Sequence, residues 1–525
     1  MLRSLFAVIF LGCNLSFAQS YDLLIQNGRI FDGTGNPWFY GDIAVQGDTI
    51  VQVGRIPPKA TAKQRIDAKG QVVSPGFIDI HSHARRGIFL VPSAENVIRQ
   101  GVTLVVEGPD GSSPIPLKPF FEKLAAIKFG VNFAMFAGQG SIREAVMGTQ
   151  NRPATPEELE KMRELMRDAM RDGAFGMSTG LFYVPGNFTP PDEVIEVAKV
   201  AGELGGIHIS HVRDEAEGII DSTNETIRIG ELGHMPTQLT HHKVMGKPYW
   251  GRSKETLRLA DEARARGVDV TADAYPYDAS STGTGALFPQ WALEGGLKSL
   301  RERLGAPDSR AKIKAEIVNR IMTARGGGDP KNVALASCDF DKTLAGKNLA
   351  QLTEARGQKP TAENAAETAI DLQSKGGCSA VYHAMSEEDV ERILRWPHTM
   401  IASDGGIQVM GEGVPHPRSY GTFARVLGYY VREKKILTLE DAIRKMTSLP
   451  ADRLNLGDRG ILRPGMKADI AVFNPATVVD KATFENPHQY AEGVSHVVVN
   501  GKLVLSAGKM TGELPGRILY GPAKE

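Results

Sequence analysis

Six positions able to ligate a divalent cation follow one another along this chain: His81 and His83, a carboxylate near Asp110, then His211, His241 and Asp404. Each ends, or lies just beyond, a short apolar run of strand character. Residues two apart on a strand point the same way, so both imidazoles of His81-Ser82-His83 can reach one ion. His211 follows Ile207-His208-Ile209-Ser210, His241 follows Gln238-Leu239-Thr240, and Asp404 follows Met400-Ile401-Ala402-Ser403. Any one of them has a plainer reading, as a satisfied core histidine or a helix-capping aspartate. Together, all at strand C-termini, they read as a metal site. Imidazole nitrogen and carboxylate oxygen suit Zn2+, as one or two ions. Such an ion would lower the pKa of bound water to about 7. Asp404 could then take the water's proton and hand it to a leaving group. The expected chemistry is hydrolysis.

Something must bring these positions together. Between about residues 73 and 454, short apolar runs alternate with amphipathic stretches. The runs include Gly76–Ile80, Val102–Val106, Asn132–Phe136, Gly206–Ser210, Thr237–Thr240, Val268–Ala272 and Thr399–Ala402. In Pro156–Asp172, Leu159, Met162, Leu165, Met166 and Met170 share one helical face. Repeated strand–helix units predict a parallel sheet with helices outside, and about eight units predict a closed (β/α)8 barrel. Chemistry in such barrels gathers at the strand C-termini, where all these candidates fall. Both chain ends, 19–72 and 455–525, instead show strand–turn–strand patterns such as Leu23-Leu24-Ile25-Gln26-Asn27-Gly28. They predict one small β-sandwich domain built from the two ends. The stretch from about 283 to 346 is polar, helical and contains Gly326-Gly327-Gly328, so it reads as a lid-like insertion over the barrel mouth.

The chain has 525 residues, 42% hydrophobic and 23% charged, with a formal net charge of zero. That fits one large globular domain plus a satellite. It gives no electrostatic reason to expect nucleic acid or an acidic membrane surface. Residues 1–18 carry Arg3, an apolar run from Leu5 to Gly12, and Ser16 and Ala18, the pattern of a secretory signal cut before Gln19. An exported, periplasmic or secreted enzyme follows as an expectation. Cys13 would leave with the signal. Cys338 and Cys378 remain, and two unpaired buried thiols are expected in a domain of this size. No other segment is long and apolar enough to span a membrane.

The order of these residues resembles the amidohydrolase superfamily and, within it, the N-acyl-D-amino-acid deacylases, or D-aminoacylases. The resemblance runs nearly end to end. It rests on Pro75-Gly76-Phe77-Ile78-Asp79-Ile80-His81-Ser82-His83, His211-Val212-Arg213-Asp214-Glu215, Thr240-His241-His242-Lys243 and Thr271-Ala272-Asp273-Ala274-Tyr275-Pro276-Tyr277. Ala402-Ser403-Asp404-Gly405 and His416-Pro417-Arg418-Ser419-Tyr420-Gly421-Thr422-Phe423 continue it. The resemblance implies that His211 and His241 hold one zinc tightly, with His81, His83 and Asp404 around a second, weaker position. It implies that Lys243, Tyr275 and Ser280 receive the substrate α-carboxylate. An ammonium and a phenol beside a metal do make a docking point for an anion. One departure stands out. Where these deacylases usually carry Gly-Asn-Cys-Gly, with cysteine as a metal bridge, this chain has Gly108-Pro109-Asp110-Gly111. Asp110 takes the cysteine's place, with Glu107 as the alternative bridge.

The expected reaction is zinc-dependent cleavage of the amide bond of an N-acyl-D-amino acid. The alternative is a dipeptidase acting on dipeptides with a C-terminal D-residue. Cyclic-amide hydrolases usually bridge their metals with a carboxylated lysine, and no lysine ends a candidate strand before His211. A binding protein on a degraded scaffold would have lost ligands that here survive.

Overall fold

Strands buried on both faces need cover on both sides, and a barrel ringed by helices supplies it. The computed structural model describes residues 20–525; the expected signal segment and Cys13 lie outside the described residues. Phe77–Asp79, Val102–Glu107 and Asn132–Met135 pair in parallel. Ala137–Gly138 extends the third strand. It leads through Gly176–Gly180, Ile207–His211, Thr237–Leu239 and Val270–Ala274 to Thr399–Ile401, again all parallel. The ring closes where Asp404 N donates to His81 O at 2.9 Å, beside the parallel bridge between Ser82 and Gly405. This is the (β/α)8 barrel the alternation predicts. Its interior is filled by Ile78, Leu104, Val106, Phe136, Ile209 and Met400. Polar chemistry is thereby confined to the C-terminal mouth.

One barrel strand, Gly176–Gly180, has no β-branched run to announce it. Its first residue explains part of this. A Cβ on Gly176 would lie 2.0 Å from Ile207 O, and its φ of 154° is one that L side chains rarely adopt. On the outside, Pro156–Asp172 is helical as its periodicity predicts. Thr155 and Glu158 form a capping box, and Met162, Met166 and Met170 are buried.

The chain ends meet in a single nine-stranded sheet. Ser20–Ile30 pairs with Phe39–Gln46 on one side and with Val72–Pro75 on the other, and Val72–Pro75 pairs in turn with Ile470–Phe473. Leu23, Ile25, Ile43, Val45, Ile470 and Val498 form its core.

Between the seventh and eighth barrel strands the chain makes an excursion longer than the expected 283–346 insertion. It opens with Ser280–Gly283, which pairs antiparallel with Ser379–Tyr382; Val333–Ser337 flanks that strand on its other side. Residues 347–382 resemble another strand–helix unit in sequence, but their strand joins this small sheet and not the barrel. Cys338 and Cys378 are joined in a disulfide, contrary to the expectation of free thiols. The pairing of Ser337 with Ser379 sets the two flanking cysteines opposite each other, with Cα atoms 4.4 Å apart. Sequence distance gave no hint of this contact.

Candidate metal centre

The sharp turns that follow the barrel strands determine where the ligands point. Asp110, His241 and Asp404 all have positive φ, at 56°, 35° and 48°. Such backbone is uncommon outside glycine and persists where surrounding contacts enforce it. For His241 the enforcing group is Asp273, whose Oδ1 accepts from His241 N at 2.7 Å and whose Oδ2 accepts from Gln238 Nε2. Asp79 does comparable work across the barrel seam. It accepts from both the amide and the hydroxyl of Ser403, one residue before Asp404, and burial pushes its carboxyl up to about 7.

The expected ligands converge. Asp110 Oδ1 lies 3.6 Å from His81 Nε2, 3.6 Å from His211 Nδ1 and 3.3 Å from His241 Nε2, while its Oδ2 lies 3.4 Å from His83 Nε2. Asp404 Oδ1 is 3.4 Å from His81 Nε2 and 3.0 Å from His83 Nε2. His211 Nδ1 and His241 Nε2 are 2.7 Å apart. Two donor sets result, sharing Asp110: His81, His83, Asp110 and Asp404, and Asp110, His211 and His241. Donors about 2.0–2.1 Å from a tetrahedral zinc lie about 3.3 Å from each other, which is the spacing seen here. Both ring nitrogens of His81, Asp110 Oδ1 and His211 Nε2 are buried without a hydrogen-bond partner. Buried polar atoms are seldom left so. The residues therefore fit a divalent cation, or a pair sharing one carboxylate.

Glu107, the alternative bridge, does not join either set. Its Oε2 accepts from Arg85 N at 2.7 Å, so it caps the backbone beyond His83 instead. As the last residue of its strand it faces that neighbouring turn, whereas Asp110, three residues on, swings over the mouth.

Behind His211 and His241 lies a buried charged cluster. Lys243 Nζ is 2.6 Å from both Glu215 Oε1 and His241 Nδ1, and Arg325 reaches Glu215 Oε2 at 3.1 Å. Burial would raise the Glu215 carboxyl, but Lys243, His211 and Arg325 outweigh it and hold it well below the usual range. Burial first, then Lys243 and His211, lowers His241 to about 4, which leaves a neutral imidazole able to ligate. On the opposite side, Arg418 Nη1 lies 2.8 Å from Asp404 Oδ2. Burial opposes ionisation of Asp404, yet Arg418 and His81 keep its carboxyl well below the ordinary value.

The centre opens into a cleft of about 780 Å³ that Lys243, Ser280, Arg325 and Arg418 help to line. Ser280 Oγ and Arg418 Nη1 are buried with no hydrogen-bond partner, so both are available to a ligand. Tyr275 differs from expectation. Its ring backs Arg418 and Lys243 at 4.8 and 5.6 Å, and its hydroxyl points to Met385 Sδ at 3.8 Å. It supports the cations from behind the cleft wall. Glu215, Asp273 and Arg418 are site residues that reasoning from single positions missed, although each sits in a motif already quoted. Arg325 had no signal at all, since it arrives from the excursion.

Comparison with known proteins agrees with this geometry. Residues 383–505 match the model of a family described as the amidohydrolase family. The chain is 37% identical to a D-aminoacylase of Alcaligenes xylosoxydans xylosoxydans, over 96% of this chain and 98% of the relative. A D-aminoacylase structure described as having a binuclear metal centre superposes with a TM-score of 0.82 at 36% identity, covering 95% of this chain and all of that one. N-acyl-D-glutamate deacylase from Bordetella bronchiseptica, solved with zinc and a phosphonate mimic of the tetrahedral intermediate, also gives 0.82, at 32% identity over 96% of this chain and all of that one.

Proposed function

This chain belongs to the D-aminoacylase family of amidohydrolases, and on that premise we propose that it hydrolyses the amide bond of N-acyl-D-amino acids in a zinc-dependent reaction. The observation that carries the proposal is the convergence of His81, His83, His211, His241 and Asp404 on the single carboxylate of Asp110. His211, His241 and Asp110 would hold one zinc; His81, His83 and Asp404, with Asp110 again, would hold a second. When bound, zinc supplies Lewis acidity, which makes water nucleophilic at neutral pH and polarises a carbonyl.

The chain's own residues supply the rest. Arg418 and Lys243, with the free hydroxyl of Ser280, receive the substrate's α-carboxylate by charge-assisted hydrogen bonds. That fixes the acyl amide over the histidine ring. Asp404 is ionised at neutral pH and stands at the mouth, so it accepts the proton of the attacking water. As the C–N bond breaks it returns that proton to the departing nitrogen, leaving a carboxylate and a free D-amino acid. Glu215, anchored by Arg325, orients His241 and Lys243 from behind, as outer partners of ligating histidines commonly do. The disulfide between Cys338 and Cys378 supports placing the enzyme outside the cytoplasm, since such bonds persist in oxidising compartments. The reaction is tested by offering purified protein N-acetyl-D-methionine and N-acetyl-L-methionine. Release of amino acid from the D-form alone is expected. Equal release from both forms, or none from either, overturns the proposal.

A further inference from the structure

Charge balance in the cleft limits the side chain that a substrate can carry. The cations lining it are Arg85, Arg86, Lys243, Arg325, Lys342 and Arg418. Arg418 pairs with Asp404, Arg86 with Glu412, Lys342 with Asp339, and Arg85 lies 3.8 Å from Glu107. Only Glu215 serves two, Lys243 and Arg325. The cleft thus holds one surplus positive charge, enough for one carboxylate. No cation is left for a second. The exposed Glu144, also in the lining, has no ion-pair partner among the described residues and adds negative charge.

The wall nearest the carboxylate end is uncharged. Arg418 Nη2 donates to Ser281 O at 3.3 Å, so the α-carboxylate site abuts the small sheet of the excursion. Across that sheet run Gly283, Ser379 and Ser337, paired in register, all lining the cleft. The disulfide between Cys338 and Cys378 adjoins this row and fixes its two outer strands together. A side chain on the substrate's Cα, one bond from the carboxylate, lies against this row. Ser280 Oγ and Arg418 Nη1, both buried and unpartnered, mark the end of the row as built for a ligand. Small side chains on the wall of a cleft this wide leave room for a bulky group.

We infer that the enzyme selects N-acyl-D-amino acids with large uncharged side chains and seats that side chain along Gly283, Ser379 and Ser337. The inference rests on the deacylase reading above. It separates this chain from the N-acyl-D-glutamate deacylase it resembles.

The test is a kcat/KM panel on the purified full chain with the N-acetyl derivatives of D-leucine, D-phenylalanine, D-alanine, D-glutamate and D-aspartate. An unpaired carboxylate in a desolvated pocket is costly, so D-leucine and D-phenylalanine should exceed D-glutamate and D-aspartate by at least about a hundredfold. They should exceed D-alanine by about tenfold, since several buried methylene equivalents are lost. D-glutamate or D-aspartate within tenfold of D-leucine would overturn the inference and leave the deacylase reading intact. Turnover of no member would sink the deacylase reading, and this inference with it. Ser379→Arg locates the subsite: it should raise kcat/KM for D-glutamate at least about tenfold by supplying the missing cation. An unchanged D-glutamate to D-leucine ratio in a folded variant would show that the side chain does not lie on this row.

Discussion

Two regions of this molecule bury many polar groups and treat them in opposite ways. At the junction between barrel and terminal sheet, Asn132 Nδ2 donates to Asp469 Oδ2, Asn500 N donates to Asp469 Oδ1, and Asn500 Nδ2 donates to Asn132 Oδ1. Arg459 closes the network on Asp469 and Asn500. At the barrel mouth, His81, Asp110 and His211 keep buried atoms with no partner. An unsatisfied buried polar group costs about 1–3 kcal/mol, and more if charged. The junction spends its polar groups on joining two domains. The mouth holds its groups in reserve for something outside the polypeptide, and the tetrahedral spacing of the donors says what. Buried polarity that is closed on itself serves stability; buried polarity left open serves a ligand.

The contrast can be broken by mutation, and the largest effect belongs at the mouth. Asp404→Asn should cut kcat by about a thousandfold through loss of the proton acceptor, while metal content and thermal midpoint change little. Steady-state kinetics with elemental analysis would check this, and a fully active variant would refute the assigned role. Asp469→Ala should do the reverse. Breaking a buried charge pair costs about 3–5 kcal/mol, so denaturant unfolding should reveal a large loss while kcat per folded molecule stays within about twofold. Reducing the Cys338–Cys378 bridge, or replacing both cysteines by serine, should cost about 2 kcal/mol and raise KM more than it lowers kcat. The bridge borders the cleft wall, not the histidine ring.

The smallest effect is a pH dependence from His208. This histidine is buried between Thr179 and Thr237, which bond its two ring nitrogens at 2.9 Å, and burial lowers it to about 3. An unfolded chain takes up that proton near pH 6.5 and the folded one does not. The unfolded state therefore binds more protons between pH 6.5 and about 3, and stability declines as pH falls through that window. Its share of the slope is up to about 1.4 kcal/mol per pH unit. His208→Gln should flatten the acid side of the stability curve by that amount, and an unchanged slope would show that the site does not stay neutral.

The ligands were legible because each breaks an apolar run at its end, and a barrel brings all such ends to one rim. Asp110 was legible only by register against the deacylase pattern, and Glu107 could be set aside only once its bond to Arg85 N was seen. The pairings behind the ring were not legible. Glu215 meets Arg325 across more than a hundred residues, and nothing local in Arg325 marks it. The excursion was underestimated because helix 362–374 and strand 379–382 obey the same periodicity as a barrel unit. Pairing partners, not propensity, decide which sheet a strand joins. The disulfide was hidden for the same reason.

One measurement reaches the centre of the proposed mechanism: zinc per chain, by elemental analysis after exhaustive dialysis, for the wild type and for a His211→Ala/His241→Ala variant, alongside turnover of N-acetyl-D-leucine. The wild type should retain at least one zinc and be active. The variant should keep its fold by circular dichroism, lose that zinc and lose activity by at least about a thousandfold. A wild-type enzyme that stays fully active with no bound metal, or a variant that loses zinc and still turns over, would contradict it.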